Sequence, residues 1–251
     1  MVINKTNMSE IKASWKNEVP RKIEGRVVFY RFIAGLLGGF GGTLIMLVVI
    51  FLATSVFQGI FSGAAEIHPL FTFVVLAMAF LATSVGNLLG CLLIYLADKG
   101  KYRNLTTILT QVFLVNIIIF IFCLPLYLVI QGAEFQSLSF IVGVQIFISS
   151  MVSALVMEVV SRSSHLLVNL YGVSLGIIAT LTILLVLMLV EKGDQSRAIL
   201  ILLALPLIWG GIGFFGAVTE MVYAWFYSIY GVDYLGKPEE YEKSDQLEKL
   251  E

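Results

Sequence analysis

The sequence predicts an all-α, polytopic membrane protein: six transmembrane helices with both termini in the cytoplasm. Three observations carry that expectation. Hydrophobic residues make up 59% of the 251 positions and charged residues 13%, about half the charged share of a soluble domain. Six stretches contain no Asp, Glu, Lys or Arg: 32–65, 67–97, 104–133, 135–157, 163–190 and 198–219. Each exceeds the roughly 20 residues that a helix needs to cross a hydrocarbon core. Lys and Arg gather in the connections that alternate to one side, with 14 of 16 on the side of the two termini, and cytoplasmic loops collect these residues. The composition excludes a soluble globular domain, a disordered chain, a collagen and a disulfide scaffold. Continuous apolar runs exclude a β-barrel, whose strands alternate polar and apolar.

The chain divides into a cytoplasmic N-terminal segment (1–26), a membrane domain (27–236) and an acidic cytoplasmic tail (237–251). The first segment is polar and mixed in charge, and the first apolar run is too long for a cleaved signal. Met8, Ile11, Trp15 and Val19 recur at helical spacing, with Lys12 and Lys16 off that stripe. Ser9 is a cap candidate and Pro20 a stop. This pattern fits an amphipathic helix on the inner leaflet, against the alternative of a partly ordered tail.

The spans are expected at 28–57, 69–97, 105–131, 138–161, 165–190 and 198–222. The first is an uncleaved anchor and carries Gly35, Gly38, Gly39, Gly41 and Gly42, two pairs of which are four apart. The second has a small face of Ala79, Thr83, Gly86 and Gly90. The fifth has Gly172, Gly176 and Thr180, and the sixth Gly210, Gly211, Gly213 and Gly216. Small faces let helix backbones approach closely in lipid. Packing within the chain is the main expectation for them. Docking of a second membrane subunit, with the first span the favoured face, is the alternative. Pro125 and Pro206 are expected to kink the third and sixth spans. After the sixth span, Tyr223, Trp225, Phe226, Tyr227, Tyr230 and Tyr234 form an aromatic cluster suited to the headgroup region.

No motif names a chemistry. The two histidines, His68 and His165, belong at opposite faces of the bilayer and cannot share a metal ion. Cys91 and Cys123 differ in depth by roughly 18 Å, too far for a disulfide. No nucleotide loop, zinc-protease helix, hydrolase elbow or paired-cysteine motif is present. No catalytic residue, metal or cofactor is therefore assigned, and nothing points to nucleic acid.

Two groups of polar residues remain. At the cytoplasmic ends of the spans lie the ionisable residues Arg31, Asp98, Glu158, Arg162 and Glu220. Glu158 and Arg162 are spaced for an ion pair on one helix, on a face with Ser150 and Ala154. Glu220 shares a face with Gly213, Gly216, Ala217 and Ala224, which turns it into the bundle. Each is either an acid or base with a role inside the membrane or an interfacial charge reaching for water. At the midplane, Asn87, Asn116, Gln145 and Ser149 are the candidate site for a neutral polar solute, with Gln145, Ser149 and Ser153 on one stripe. Inter-helix hydrogen bonding is the structural alternative. A strongly charged substrate would want midplane countercharge, and none is present.

Three functions follow, in order of preference. The first is a non-catalytic permease-type or scaffold subunit of a membrane complex, partnered by another membrane or cytoplasmic subunit. The second is a self-contained carrier or channel for a neutral or weakly polar solute. The third is a membrane enzyme on a lipid-linked substrate, using Asp98, Glu158 or Glu220. The expected location is the plasma membrane, multi-pass, with the lipid bilayer as the certain partner.

Overall fold

The computed structural model describes residues 20–60, 69–102, 104–129, 135–161, 165–190 and 194–230. Every regular element among them is an α-helix: α1 (Gly25–Ile60), α2 (Pro69–Ala97), α3 (Leu105–Val129), α4 (Phe135–Val160), α5 (Leu166–Val190) and α6 (Asp194–Tyr230). All six are long and apolar enough to cross a membrane, with apolar spans of 20–29 residues. The protein is therefore an all-α, multi-pass membrane protein.

The helices fall into two shells. α2, α4 and α6 pack against one another, and each outer helix lies in the groove between two of them. α1 lies on α2 and α6, α3 on α2 and α4, and α5 on α4 and α6. Half or more of each inner span is buried within the protein, against 22–44% of the outer spans. The outer surface is apolar, with Phe51, Phe122 and Leu189 among its most exposed side chains, as a lipid-facing surface requires.

The glycines of α1 set this arrangement. A methyl group added at Gly35 or Gly39 would strike the backbone of Trp209 or Pro206 on α6. One at Gly38 or Gly42 would strike Gly90 or Gly86 on α2. The two four-residue registers thus seat α1 against two different neighbours. That overturns the first span's glycine face as a docking site, because the face is already occupied from within the chain. Gly172 and Gly176 do the same for α5 against Gly216 and Gly211 of α6.

The end of the sixth span differs most from the sequence expectation. α6 runs to Tyr230, so Tyr223, Trp225, Phe226, Tyr227 and Tyr230 lie on the helix rather than after it. The sequence offers no Gly or Pro between Gly216 and Gly231 to end it sooner. Trp225, Phe226 and Tyr230 are exposed and contact one another ring to ring. Pro125 and Pro206 both lie inside continuous helices. The amphipathic N-terminal helix, Tyr234, His68 and the acidic tail lie outside the described residues.

Candidate functional site

Four of the five ionisable residues meet at one end of the bundle. Each inner helix brings one acid to that end. Asp98 follows the last residue of α2, Glu158 is two residues from the end of α4, and Glu220 is on α6. Three cations lie among them, giving a chain of alternating charge. Arg21 bonds Asp98 at 2.5 Å. The opposite oxygen of Asp98 lies 3.7 Å from Arg31. Arg31 Nη1 donates to Glu220 Oε1 at 2.9 Å. The Lys101 ammonium donates to Glu220 at 2.6 Å and to Glu158 at 2.7 Å. Tyr102 closes the chain into a ring: its hydroxyl accepts from Arg31 Nη2 at 3.1 Å and donates to Glu158 Oε1 at 2.8 Å. The Lys101 ammonium also sits 4.7 Å from the Tyr102 ring centre, in range of a cation–π attraction. Burial pushes the Tyr102 phenol well above its ordinary value, Glu158 and Glu220 add to the rise, and Arg31 opposes it. The phenol therefore stays protonated and serves as a neutral bridge.

The turn between α2 and α3 presents these groups. The Lys101 amide bonds the Asp98 carbonyl at 3.1 Å, and Asn104 takes a left-handed conformation with φ of 57° before α3 begins. Asn tolerates that conformation better than most residues. Within this tight turn Lys99 and Gly100 face outward while Tyr102 is buried, and the Lys101 side chain is only 5% exposed. On α6, small residues make room for Arg31. A side chain at Gly216 would meet its guanidinium at 2.9 Å, and one at Gly213 would strike its backbone.

Glu158 is thus no interfacial charge reaching for water. It is buried, and its partners are Lys101 and Tyr102 rather than a residue one turn along its own helix. Arg162 lies outside the described residues. The α4 face that carries Glu158 is turned inward, with Ser150, Ala154 and Glu158 all buried. Glu220 turns inward, onto Arg31 and Lys101. Sequence reasoning missed Lys101, Tyr102 and Arg21. Lys101 reads as one of three cations in a polar loop, and only the turn geometry sends it inward.

Deeper in the bundle, a second polar layer joins α2, α3, α4 and α6. Asn87 Nδ2 donates to Asn116 Oδ1 at 2.8 Å and to Ser149 Oγ at 3.1 Å. Asn87 Oδ1 accepts from Ser150 at 2.8 Å and from the Trp209 indole at 3.0 Å. Asn116 Nδ2 donates to the Val112 carbonyl at 2.6 Å and to Ser153 at 3.1 Å. Ser149 also bonds Asn116. Three of the four midplane candidates (Asn87, Asn116, Ser149) therefore converge. Gln145 does not: it lies further along α4 and accepts from the Tyr127 hydroxyl at 2.7 Å. Ser150 and Trp209 are the additions. Trp209 lies next to Gly210 and Gly211, and its ring fills the space left by Gly90.

Asn87, Cys91 and Asp98 occupy one face of α2, since spacings of four and seven return to the same side. Cys91 lies about 10 Å below Asp98 along that face. Around it, Ile94, Ile108, Ala154 and Met157 are buried. They form an apolar layer between the ionic ring and the polar network.

Chemically, each ring carboxylate accepts from a cation through one oxygen, while Asp98 Oδ2 and Glu158 Oε2 are buried without a hydrogen-bond partner. Among the described residues no group of three or more His, Cys, Asp or Glu is placed to hold a metal ion. Cys91 and Cys123 are both buried and unpaired. No family model, curated protein or solved structure matches the chain.

Proposed function

We propose that the protein is a self-contained carrier for a small, neutral or weakly polar solute, with its path along the axis between α2, α4 and α6. The observation that supports this reading is the stacking of two polar layers on those helices. A charge-free layer of amides, hydroxyls and an indole N–H lies at mid-depth, and a ring of paired charges closes the same axis at one end. Ionisable residues inside a membrane bundle often mark solute paths, and here they cap an axis that also carries the neutral layer. The deep layer offers both donors and acceptors and no net charge, so it suits an uncharged partner. The Lys and Arg bias of the connections supports a cytoplasmic position for the ionic end and both termini, and a plasma-membrane location is part of the same proposal.

The preference for a docking subunit weakens on the same geometry. The glycine face of α1 and the ionic residues, two of its motives, are consumed inside the chain.

The test is uptake by proteoliposomes offered labelled urea, glycerol and neutral amino-acid amides. Facilitated uptake of at least one is expected. It should fall about tenfold in Asn116→Ala and Ser150→Ala, each of which removes hydrogen bonds from the deep layer. Gln145→Ala, whose partner is Tyr127, should leave it largely intact. Uptake of none of the probes, or undiminished uptake in both variants, would overturn the reading.

A further inference from the structure

We infer that Lys101 is the gating residue of the ionic end: its ammonium holds α4 to α6, and its withdrawal opens the path between them. The inference rests on the carrier reading and assigns that path its regulation.

Four observations carry it. First, Lys101 is the one ring cation attached to a turn rather than to α1 or the segment before it. Second, its ammonium bonds Glu158 of α4 and Glu220 of α6 together. With the ammonium gone, Glu220 keeps Arg31 and Glu158 keeps the Tyr102 hydroxyl, but no cation stands between the two acids, so the tie from α4 to α6 is lost and their like charge favours separation. Third, the other ring cation on a span is secured independently. Arg31 keeps its bond to Glu220 of α6, which does not pass through the turn, so α1 stays seated on α6 when Lys101 is gone. Fourth, buried residues between the ring and the deep network, Cys91, Ile94, Ala154 and Met157, are apolar. Cys91 has zero exposure and lies about two helical turns below Asp98.

Cys91 is therefore a natural reporter of opening. In a Cys123→Ser background it is the sole thiol of the chain. The protein is reconstituted at full length, treated with a small, charged methanethiosulfonate reagent, and followed by intact mass. With Lys101 in place, labelling should be slow. In Lys101→Met, which keeps the apolar stem and removes the charge, it should quicken about tenfold or more, as a shifted open population requires. Lys101→Arg should stay slow. Adding Glu158→Gln to Lys101→Met should return labelling toward the slow rate, since one repelling charge is gone; a merely loosened fold would be loosened further. Should Lys101→Met not fold, Lys101→Gln removes the same charge and is expected to label quickly too. Unchanged labelling in the charge-removed variant, or faster labelling still in the double variant, would overturn the gate. Labelling needs no solute, so the two proposals fail separately. A responsive Cys91 without uptake sinks the carrier alone, and uptake with an unresponsive Cys91 sinks the gate alone.

Discussion

Arg31 and Arg21 carry the same charge and touch the same acid, yet they stand in opposite environments. The Arg31 side chain is 1% exposed and its guanidinium spreads over Glu220, Tyr102 and Asp98. The Arg21 side chain is 46% exposed and, among the described residues, pairs with Asp98. Removing one member of a buried ionic set leaves uncompensated charge and costs about 3–5 kcal/mol, whereas a half-exposed pair is worth about 1 kcal/mol or less. Arg31→Met should therefore lower unfolding stability in mixed micelles far more than Arg21→Met. Arg31→Lys should fall nearer to the first, because an ammonium cannot reproduce the fork. Equal losses for the two methionine variants would contradict the ring geometry. Arg31, Asp98, Glu158 and Glu220 were legible in the sequence, because charges at the margin of long apolar runs are few. Lys101 and Tyr102 were not. Whether a loop residue points to water or into a bundle depends on the turn, and the left-handed Asn104 leaves no periodic mark in a seven-residue connection.

The position of each helix was legible to within a few residues from runs without charge, and the exception is instructive. The expected end of the sixth span at 222 took the aromatic cluster as a boundary, but aromatic residues do not break a helix. α6 continues until the first glycine after Gly216. Prolines were legible as disturbances but not as contacts. Pro206 has no N–H, so the carbonyl of Leu202 loses its partner four residues on. The Thr43 hydroxyl of α1 reaches that carbonyl at 2.7 Å. In lipid no water stands ready to replace it. Thr43→Val keeps the shape and removes the donor, and should cost about 1 kcal/mol. Thr110→Val is the matched control. Its hydroxyl bonds only the Thr106 carbonyl one turn back, on an exposed face, so its loss should be near zero in the same unfolding measurement. The register that places Thr43 there comes from Gly35 and Gly39, which let α1 sit directly on Pro206 and Trp209.

At the scale of the whole molecule, the sequence could not say which helices are inside. A bundle in lipid is apolar on both its buried and its exposed faces, so the usual contrast between core and surface disappears. The signal that does sort the helices is polar. α2, α4 and α6 each bring an acid to the same end, and each supplies a side chain to the deep network. That shared end is also the one from which α1 starts, six residues before Arg31, and toward which α6 runs, ten residues past Glu220. Its sidedness is the remaining question, and the geometry selects the probe. Position 101 would report burial rather than side, because its side chain is inserted among the acids. Lys99, two residues away, is exposed and contacts none of the ring. In a background free of Cys91 and Cys123, a membrane-impermeant maleimide added to intact cells should label Ser62→Cys, in the next connection, and spare Lys99→Cys until the membrane is permeabilised. The reverse pattern would put the ionic end outside. The Lys and Arg bias would then have failed as a topology signal for this chain, and the gate would face the extracellular solution.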